Sequence, residues 1–270
     1  MSGDDLGDRM KSYEAQETSR RFLPGLPIYA RIDGRGFSKF TRGMDRPYDE
    51  RMSNAMIETT KELVKQTHAT IGYVQSDEIS LVWIPGEGSP GWFDNKTMKM
   101  TSVLAGLATA AFCQALFWFF RDDTAADLLV KLPHFDARVI SMPSTTEAAN
   151  MLLWRNLDAT KNAISMAASH YYSHRALQGK SGAEKQEMLF QRGQNFNDYP
   201  AFFKRGTWVR RQARERLLTA AELAAIPMPF RPPEDQPLVR SEVVAFDLPP
   251  LNRVSNRVDV LFHGHDAVKF

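Results

Sequence analysis

Apolar and polar positions alternate with a period of two in some stretches of this chain and recur at three-to-four spacing in others. Leu26–Asp33 (LPIYARID) has the length and β-branched character of a short strand and runs into the breaker Gly34-Arg35-Gly36. From about Asp49 to His68, Met52, Ala55, Met56, Thr59 and Leu63 fall at helical spacing behind Asp49, which suits an N-cap. In Ala69–Trp83, Ile71 and Tyr73 alternate with Thr70, Gly72 and Val74, and Ile79, Leu81 and Trp83 alternate with Ser80 and Val82. Ser76-Asp77-Glu78 interrupts the two runs, so they read as a hairpin. A turn over Pro85–Pro90, an apolar helix from about Lys96 to Arg121, and a strand over Phe135–Met142 follow, the last closed by Pro143.

The order strand, helix, strand, strand, helix, strand predicts an α+β fold of the ferredoxin-like, split βαβ kind, with an antiparallel sheet and helices on one face. From about Thr146 the texture turns helical, with helices expected over Ala148–Leu177, near Ala183–Phe190 and near Thr219–Ala225. Pro227–Pro237 holds five prolines and reads as an extended arm. The last 33 residues read as a strand pair or an ordered tail. The expected organisation is therefore 1–145 as one unit, 146–225 as a mainly helical second half, and 226–270 as arm and tail.

Composition narrows the class without naming it. The 270 residues are 43% hydrophobic and 24% charged, which is globular rather than disordered. Lys and Arg number 34 against 32 Asp and Glu, so a net +2 excludes a protein that coats nucleic acid by bulk charge. A single cysteine, Cys113, excludes an intrachain disulfide and fits a reducing, cytoplasmic setting. The opening MSGDDLGDRM does not read as a secretory leader. Ser102–Phe120 nearly has the length of a membrane span, but Gly106, Thr109 and Gln114 favour a buried helix over a sheet, and no membrane partner is expected.

The candidate chemistry is acidic. In the ferredoxin-like order the first and third strands are antiparallel neighbours, so Asp33 at the end of one meets Asp77 and Glu78 at the start of the other, although Asp33 and Asp77 are 44 positions apart. Carboxylates converging beside glycines suit a pair of Mg2+ ions that bridge to phosphates and stabilise an in-line phosphoryl displacement. Taken singly, each aspartate equally suits a turn. Other sites are weaker. Lys204–Arg216 (KRGTWVRRQARER) is either a charged helix face or an RNA-backbone contact with Trp208 free to stack on a base. His170 and His174 are spaced for zinc but have no evident third ligand, and His263 and His265 are similarly weak. No G-x-x-x-x-G-K-[ST] loop or G-x-S-x-G elbow occurs, and Cys113 reads as inert core.

Ordered strings make a family visible. RIDGRGF (Arg31–Phe37), RPYD (Arg46–Asp49), SDEIS (Ser76–Ser80) and FDARV (Phe135–Val139), followed by weaker EKQEMLF (Glu184–Phe190), QNFND (Gln194–Asp198) and KRGT (Lys204–Thr207), resemble the tRNA-His guanylyltransferase family, most closely its guanylyltransferase-like members. The match spans about residues 8–210. The resemblance implies a polymerase-palm domain that adds nucleotides to the 5′ end of tRNA in the 3′-to-5′ direction, using two Mg2+ ions, GTP and other nucleoside triphosphates as substrates, and ATP to activate a 5′-monophosphate end. It implies Asp33 and Asp77 as metal ligands with the Gly34 carbonyl, and Glu78 as the neighbouring acid. Arg35, Gly36, Phe37, Ser38, Arg46, Asp49, Ser76, Lys96 and Lys99 fall on its nucleotide-binding positions. Asn162, Lys185, Lys204, Arg205, Arg210, Arg211 and Arg214 are the candidate tRNA contacts, on a fingers-like second half. A homo-oligomer, a tetramer by analogy, is implied as well.

Two departures matter. Ser38 stands where the eukaryotic enzymes carry histidine. Trp154–Ser165 (WRNLDATKNAIS) keeps Asp158 and Asn162 of a HINNLYN-like string, but Thr160 and Ser165 replace its histidine and tyrosine. That erosion favours templated repair of 5′-truncated tRNA over addition of the extra guanylate of tRNA-His. The rival readings are a nucleotide cyclase or diguanylate-type synthase on a similar fold, and an RNA-binding relative without catalysis. Retained acids oppose the latter, because clustered like charges are costly.

Overall fold

The computed structural model describes residues 5–86, 88, 90–120 and 123–270. In chain order these form α1 (Asp5–Thr18), β1 (Ile28–Gly34), α2 (Phe37–Phe40), α3 (Glu50–Thr67), β2 (Ile71–Gln75), β3 (Glu78–Trp83), α4 (Thr97–Phe119), α5 (Asp123–Val130), β4 (Phe135–Ser141), α6 (Thr145–Tyr171), α7 (His174–Leu177), α8 (Gly182–Gln191), α9 (Ala201–Arg205), β5 (Thr207–Arg216), α10 (Ala220–Ala225) and β6 (Leu238–Phe246). Met1–Asp4 of the opening, Glu87 and Ser89 of the expected turn, and Arg121 at the expected helix end lie outside the described residues.

All six strands form one antiparallel sheet in the order β4-β1-β3-β2-β5-β6. The strand–helix–strand–strand–helix–strand order read from the sequence is present, and its four strands occupy neighbouring places. α3 starts where expected: the Asp49 side chain accepts from the backbone N–H groups of Arg51 and Met52. Its periodic apolar positions, Met52, Ala55, Met56 and Leu63, are all buried. They pack with Leu104, Ala108, Phe112 and Leu116 of α4 on the sheet face that carries Ile28, Ala30, Ile32, Ile79 and Leu81. Each Leu, Ile, Met or Phe among them contributes about 1.5–3 kcal/mol on full burial. α4 is the one helix among the described residues long and apolar enough to cross a membrane, and its inward stripe is spent on this core.

The structure departs from the sequence reading in four places. Helices cover both sheet faces rather than one: Ala148, Ala149, Leu152 and Ala159 of α6, with Leu251 and Leu261, pack on the face bearing Tyr29, Ile71, Tyr73 and Val82. The helix expected over Ala148–Leu177 ends at Tyr171, because Tyr172 turns extended and Ser173 caps the separate α7. Lys204–Arg216 is mostly strand rather than helix, since β5 pairs with β2 on one side and β6 on the other. β6 consequently draws part of 226–270 into the same sheet as β1, so the divisions at 145 and 225 do not separate the sheet.

Candidate active site

The antiparallel register of β1 and β3 sets Asp33 opposite Glu78, and the Gly34 N–H donates to the Asp77 carbonyl at 3.0 Å. The 44 positions between Asp33 and Asp77 are thereby folded to one end of the sheet, as the sequence predicted. β4 adds Asp136 opposite Asp33 on the other side. Gly34 admits no side chain here: a Cβ would stand 2.5 Å from the Phe37 ring. That ring is buried against Phe40, Phe112 and Phe135, so Phe37 anchors the loop in the core at the edge of the site. Gly36 takes φ 70°, a left-handed conformation that suits glycine, and turns the chain into α2 with Arg35 and Ser38 exposed.

A cleft of about 770 Å³ opens over this end, lined by Arg31, Asp33, Asp77 and Glu78 from the sheet and by Arg155, Asp158, Asn162, Ser165 and Ser169 from α6. A second chamber of about 290 Å³ adjoins it and is more apolar, with Met44, Tyr48, Met52, Phe202 and Phe203 beside Ser38 and Asp49. The two share Arg46, Pro47, Gln75, Ser76, Asp77 and Met166. Volumes of this order hold small organic ligands. The helical period of α6 puts Asp158, Asn162, Ser165 and Ser169 on one face, which is how its polar residues reach the cleft together.

The electrostatics divide the acids. Arg155 donates to Glu78 with two hydrogen bonds of 2.6 and 2.7 Å and lies 3.1 Å from Asp158. Arg31 approaches Glu78 at 2.9 Å and Asp33 at 3.2 Å. Glu78, expected as the neighbouring catalytic acid, therefore has both oxygens engaged by guanidinium groups and ties α6 to the sheet. Burial pushes the Asp77 carboxyl up from its ordinary range, and the charges of Asp33 and Glu78 push it further. Burial also raises the Tyr29 hydroxyl, to about 12, against its contact with Ser80 at 2.9 Å. No group of three or more His, Cys, Asp or Glu among the described residues is gathered to hold a metal by itself. The residues that could hold a metal with the help of a ligand are Asp33 and Asp77, with the Gly34 carbonyl as the expected third oxygen. This donor set is all oxygen and anionic, which suits Mg2+ with water and phosphate oxygens completing the shell.

Other expected site residues are placed differently. Asp49 is 6% exposed and spends its carboxylate on the α3 cap and on Arg51, at 3.0 and 2.6 Å. Lys96 and Lys99 lie by the opposite end of β1: Lys96 bridges to Arg21, Lys99 sits 4.6 Å over Phe93, and neither lines the two chambers. Asn162 lines the cleft, and Lys185 reaches it through a 3.1 Å hydrogen bond to Ser165. Lys204 donates to the Asn197 carbonyl, and the Arg205 carbonyl accepts from Tyr73 and Asn156, so both brace α9. Trp208 is 1% exposed against Tyr73 and cannot offer a stacking face. Strand alternation sends Arg210 and Arg214 to one side of the sheet and Arg211 to the other, with Arg210 bonded to the Val260 carbonyl and Arg211 to that of Lys65. β5 also leaves the cleft, since Thr207 faces Val74 and Val209 faces Gly72. His170 lines the cleft, while His174 begins a different helix, so their zinc spacing is lost.

Sequence reasoning missed Arg31 and Arg155 as site residues. Two signals were present: Arg31 precedes Asp33 by two in a strand, hence shares its face, and Arg155 precedes Asp158 by three in a helix.

Known proteins resemble the chain closely enough to place it. A family model described as tRNAHis guanylyltransferase (Thg1) matches residues 7–143. The tRNA(His) guanylyltransferase of Schizosaccharomyces pombe is 31% identical over 216 residues, covering 74% of this chain and 78% of that protein. A bacterial tRNA(His) guanylyltransferase (Thg1)-like protein solved in complex with ATP superposes with a TM-score of 0.70 at 34% identity, over 77% of this chain and 87% of that one. A bacterial Thg1-like protein solved with GTP gives a TM-score of 0.67 at 29% identity, over 92% and 94% of the two chains. With this coverage, and with residues of three matched strings, RIDGRGF, RPYD and SDEIS, lining the acidic cleft, the chain belongs to the tRNA-His guanylyltransferase (Thg1) family of nucleotidyltransferases.

Proposed function

We propose that this protein is a Mg2+-dependent enzyme that adds nucleotides to the 5′ end of tRNA in the 3′-to-5′ direction, on a ferredoxin-like sheet of the polymerase-palm type. The observation that carries the reading is the meeting of Asp33 and Asp77 at one sheet end, beside the Gly34–Ser38 loop and under a cleft large enough for a nucleotide. The strand order β4-β1-β3-β2 supports the palm assignment. Bacterial relatives with ATP and with GTP support the choice of substrates.

In this reading the apolar chamber beside Tyr48 and Phe203 takes the base, and the triphosphate runs along the Gly34–Ser38 backbone towards Arg46. Asp33, Asp77 and the Gly34 carbonyl hold the metal. Bound Mg2+ supplies the positive charge that stabilises the attacking and leaving oxygens of phosphoryl transfer. Arg46, exposed where the two chambers meet, neutralises phosphate charge. Arg155 and Arg31 hold Glu78 out of the reaction and keep α6 at its distance from the sheet. The RNA 5′ end enters along the polar face of α6, past Asp158, Asn162 and Ser165. The replaced histidine and tyrosine of that face favour templated repair of truncated tRNA, in the cytoplasm, over addition of a single guanylate.

The test is incubation of the protein with a 5′-labelled, 5′-truncated tRNA, Mg2+, ATP and nucleoside triphosphates, reading product length. Growth that stops at the full acceptor stem is the expected result. Absence of extension would refute the reading, and cyclic nucleotide formed from GTP without RNA would replace it by the cyclase alternative.

A further inference from the structure

Trp154 opens the string WRNLDATKNAIS, and the placement of Asp33, Asp77 and the nucleotide chambers gives it no task. On α6 it precedes Asp158 by one turn and Ser165 by three, so it shares their face, just beyond the residues that line the cleft. Its side chain is 54% exposed, unusual for a residue that normally buries its large apolar surface. One face of the ring is nevertheless packed: the guanidinium carbon of Arg155 stands over it, 4.6 Å from its centroid. Arg155 is itself 8% exposed and fixed by two hydrogen bonds to Glu78. An exposed indole is thus bolted through a buried arginine to the sheet end that carries Asp33.

A second exposed tryptophan makes the contrast. Trp118 is 72% exposed, but among the described residues its groove is lined by Glu58 and Glu62 of α3 and by no arginine or lysine. Trp154 instead packs against the guanidinium of Arg155, which is shared with Glu78 and Asp158, and on the sheet face below α6 the exposed Arg138 of β4, 3.6 Å from Asp136, sits opposite Arg31. Rigid aromatic faces beside positive charge are what proteins use to stack single nucleobases.

We propose that Trp154 stacks on the terminal base at the 5′ end of the RNA, and so sets the reacting phosphate at the acids. This rests on the tRNA reading above and adds to it the subsite for the base of the growing end. A 5′-truncated tRNA carrying 2-aminopurine as its first nucleotide tests it, with wild type, Trp154→Ala and Trp154→Phe. Wild-type binding quenches the fluorophore. Trp154→Ala abolishes the quench and raises the RNA Kd about tenfold, while GTP affinity stays within about twofold; Trp154→Phe restores most of both RNA signals. Unchanged quenching and RNA affinity in Trp154→Ala, or parallel loss of RNA and GTP binding, would overturn the stacking site while leaving the tRNA reading intact. A wild type that binds GTP but no RNA would overturn both.

Discussion

The sheet face under α6 is closed at one end and open at the other. At the closed end Tyr29, Ile71, Tyr73 and Val82 meet Ala148, Ala149 and Leu152 in a dry core. One or two pairing steps along the same strands, Arg31, Asp33, Gln75 and Glu78 meet Arg155 and Asp158 across a cleft. The strands continue unbroken between the two ends. What changes is the chemistry that a single helix lowers onto them: small and apolar side chains early in α6, charged ones a turn later. Packing holds the helix at the closed end and again further along, where Ala163, Ile164, Ala167 and Ala168 pack with Leu189 and Phe203, and the Glu78–Arg155 pair holds it across the cleft between them. A gap beside Asp33 and Asp77 follows from that division, with Asp33 facing Arg31 at 3.2 Å.

The comparison can be broken first at the open end. Asp33→Ala or Asp77→Ala is expected to lower nucleotide addition by at least about a hundredfold, with tRNA binding within a few fold and no loss of thermal stability; turnover retained in both variants would remove the two-metal assignment. Next comes the strut. Arg155→Met leaves the half-buried Glu78 short of its main partner and is expected to cost roughly 3 kcal/mol, the low end for a broken buried pair because Arg31 still faces the carboxylate. Adding Glu78→Gln should recover much of that in denaturant titrations; a double variant as unstable as the single one would show that the pair does not hold α6 down.

At the closed end, Leu152→Ala removes a side chain with 0% exposure and is expected to cost about 2–3 kcal/mol. Activity per folded molecule should remain near wild type, because the cavity forms away from the cleft; a large fall in the rate with normal stability would show that the two ends are not separable. The smallest effect lies at the α3 cap. Burial pushes the Asp49 carboxyl up, but hydrogen bonds from Arg51 and from the backbone outweigh it and hold the group below its ordinary value. A depressed folded value means the stabilisation is present above the unfolded value of ~3.9 and is lost as pH falls through the lower folded one. Asp49→Ala should therefore cost about 1 kcal/mol at pH 7 and progressively less below about pH 4. A gap that stays constant with pH would argue that the cap does not act through its charge.

Much of this was legible in the sequence because it depended on local periodicity. β-branched character before a glycine breaker marks β1, period-two alternation marks the β2–β3 hairpin, a short run closed by Pro143 marks β4, and helical spacing behind Asp49 marks α3 with its buried face. The meeting of Asp33 with Asp77 followed from strand order alone. The helix face offered for Lys204–Arg216 is replaced by a strand, because charge density hides a segment whose pairing is supplied by β2 and β6, both distant in the chain. Lys96 and Lys99 were matched to phosphate positions by string, but the helix they start lies by the other end of β1 from Asp33.

The sequence by itself determined which segments become strands and helices and which aspartates share a sheet end, since backbone alternation and capping chemistry are properties of neighbouring residues. Only the tertiary structure decided which acids stay open. Glu78 and Asp77 are adjacent in the chain, yet one is locked between Arg31 and Arg155 while the other lines both chambers. That difference depends on where a helix 77 residues further along the chain places one guanidinium, and only long-range packing sets such a distance.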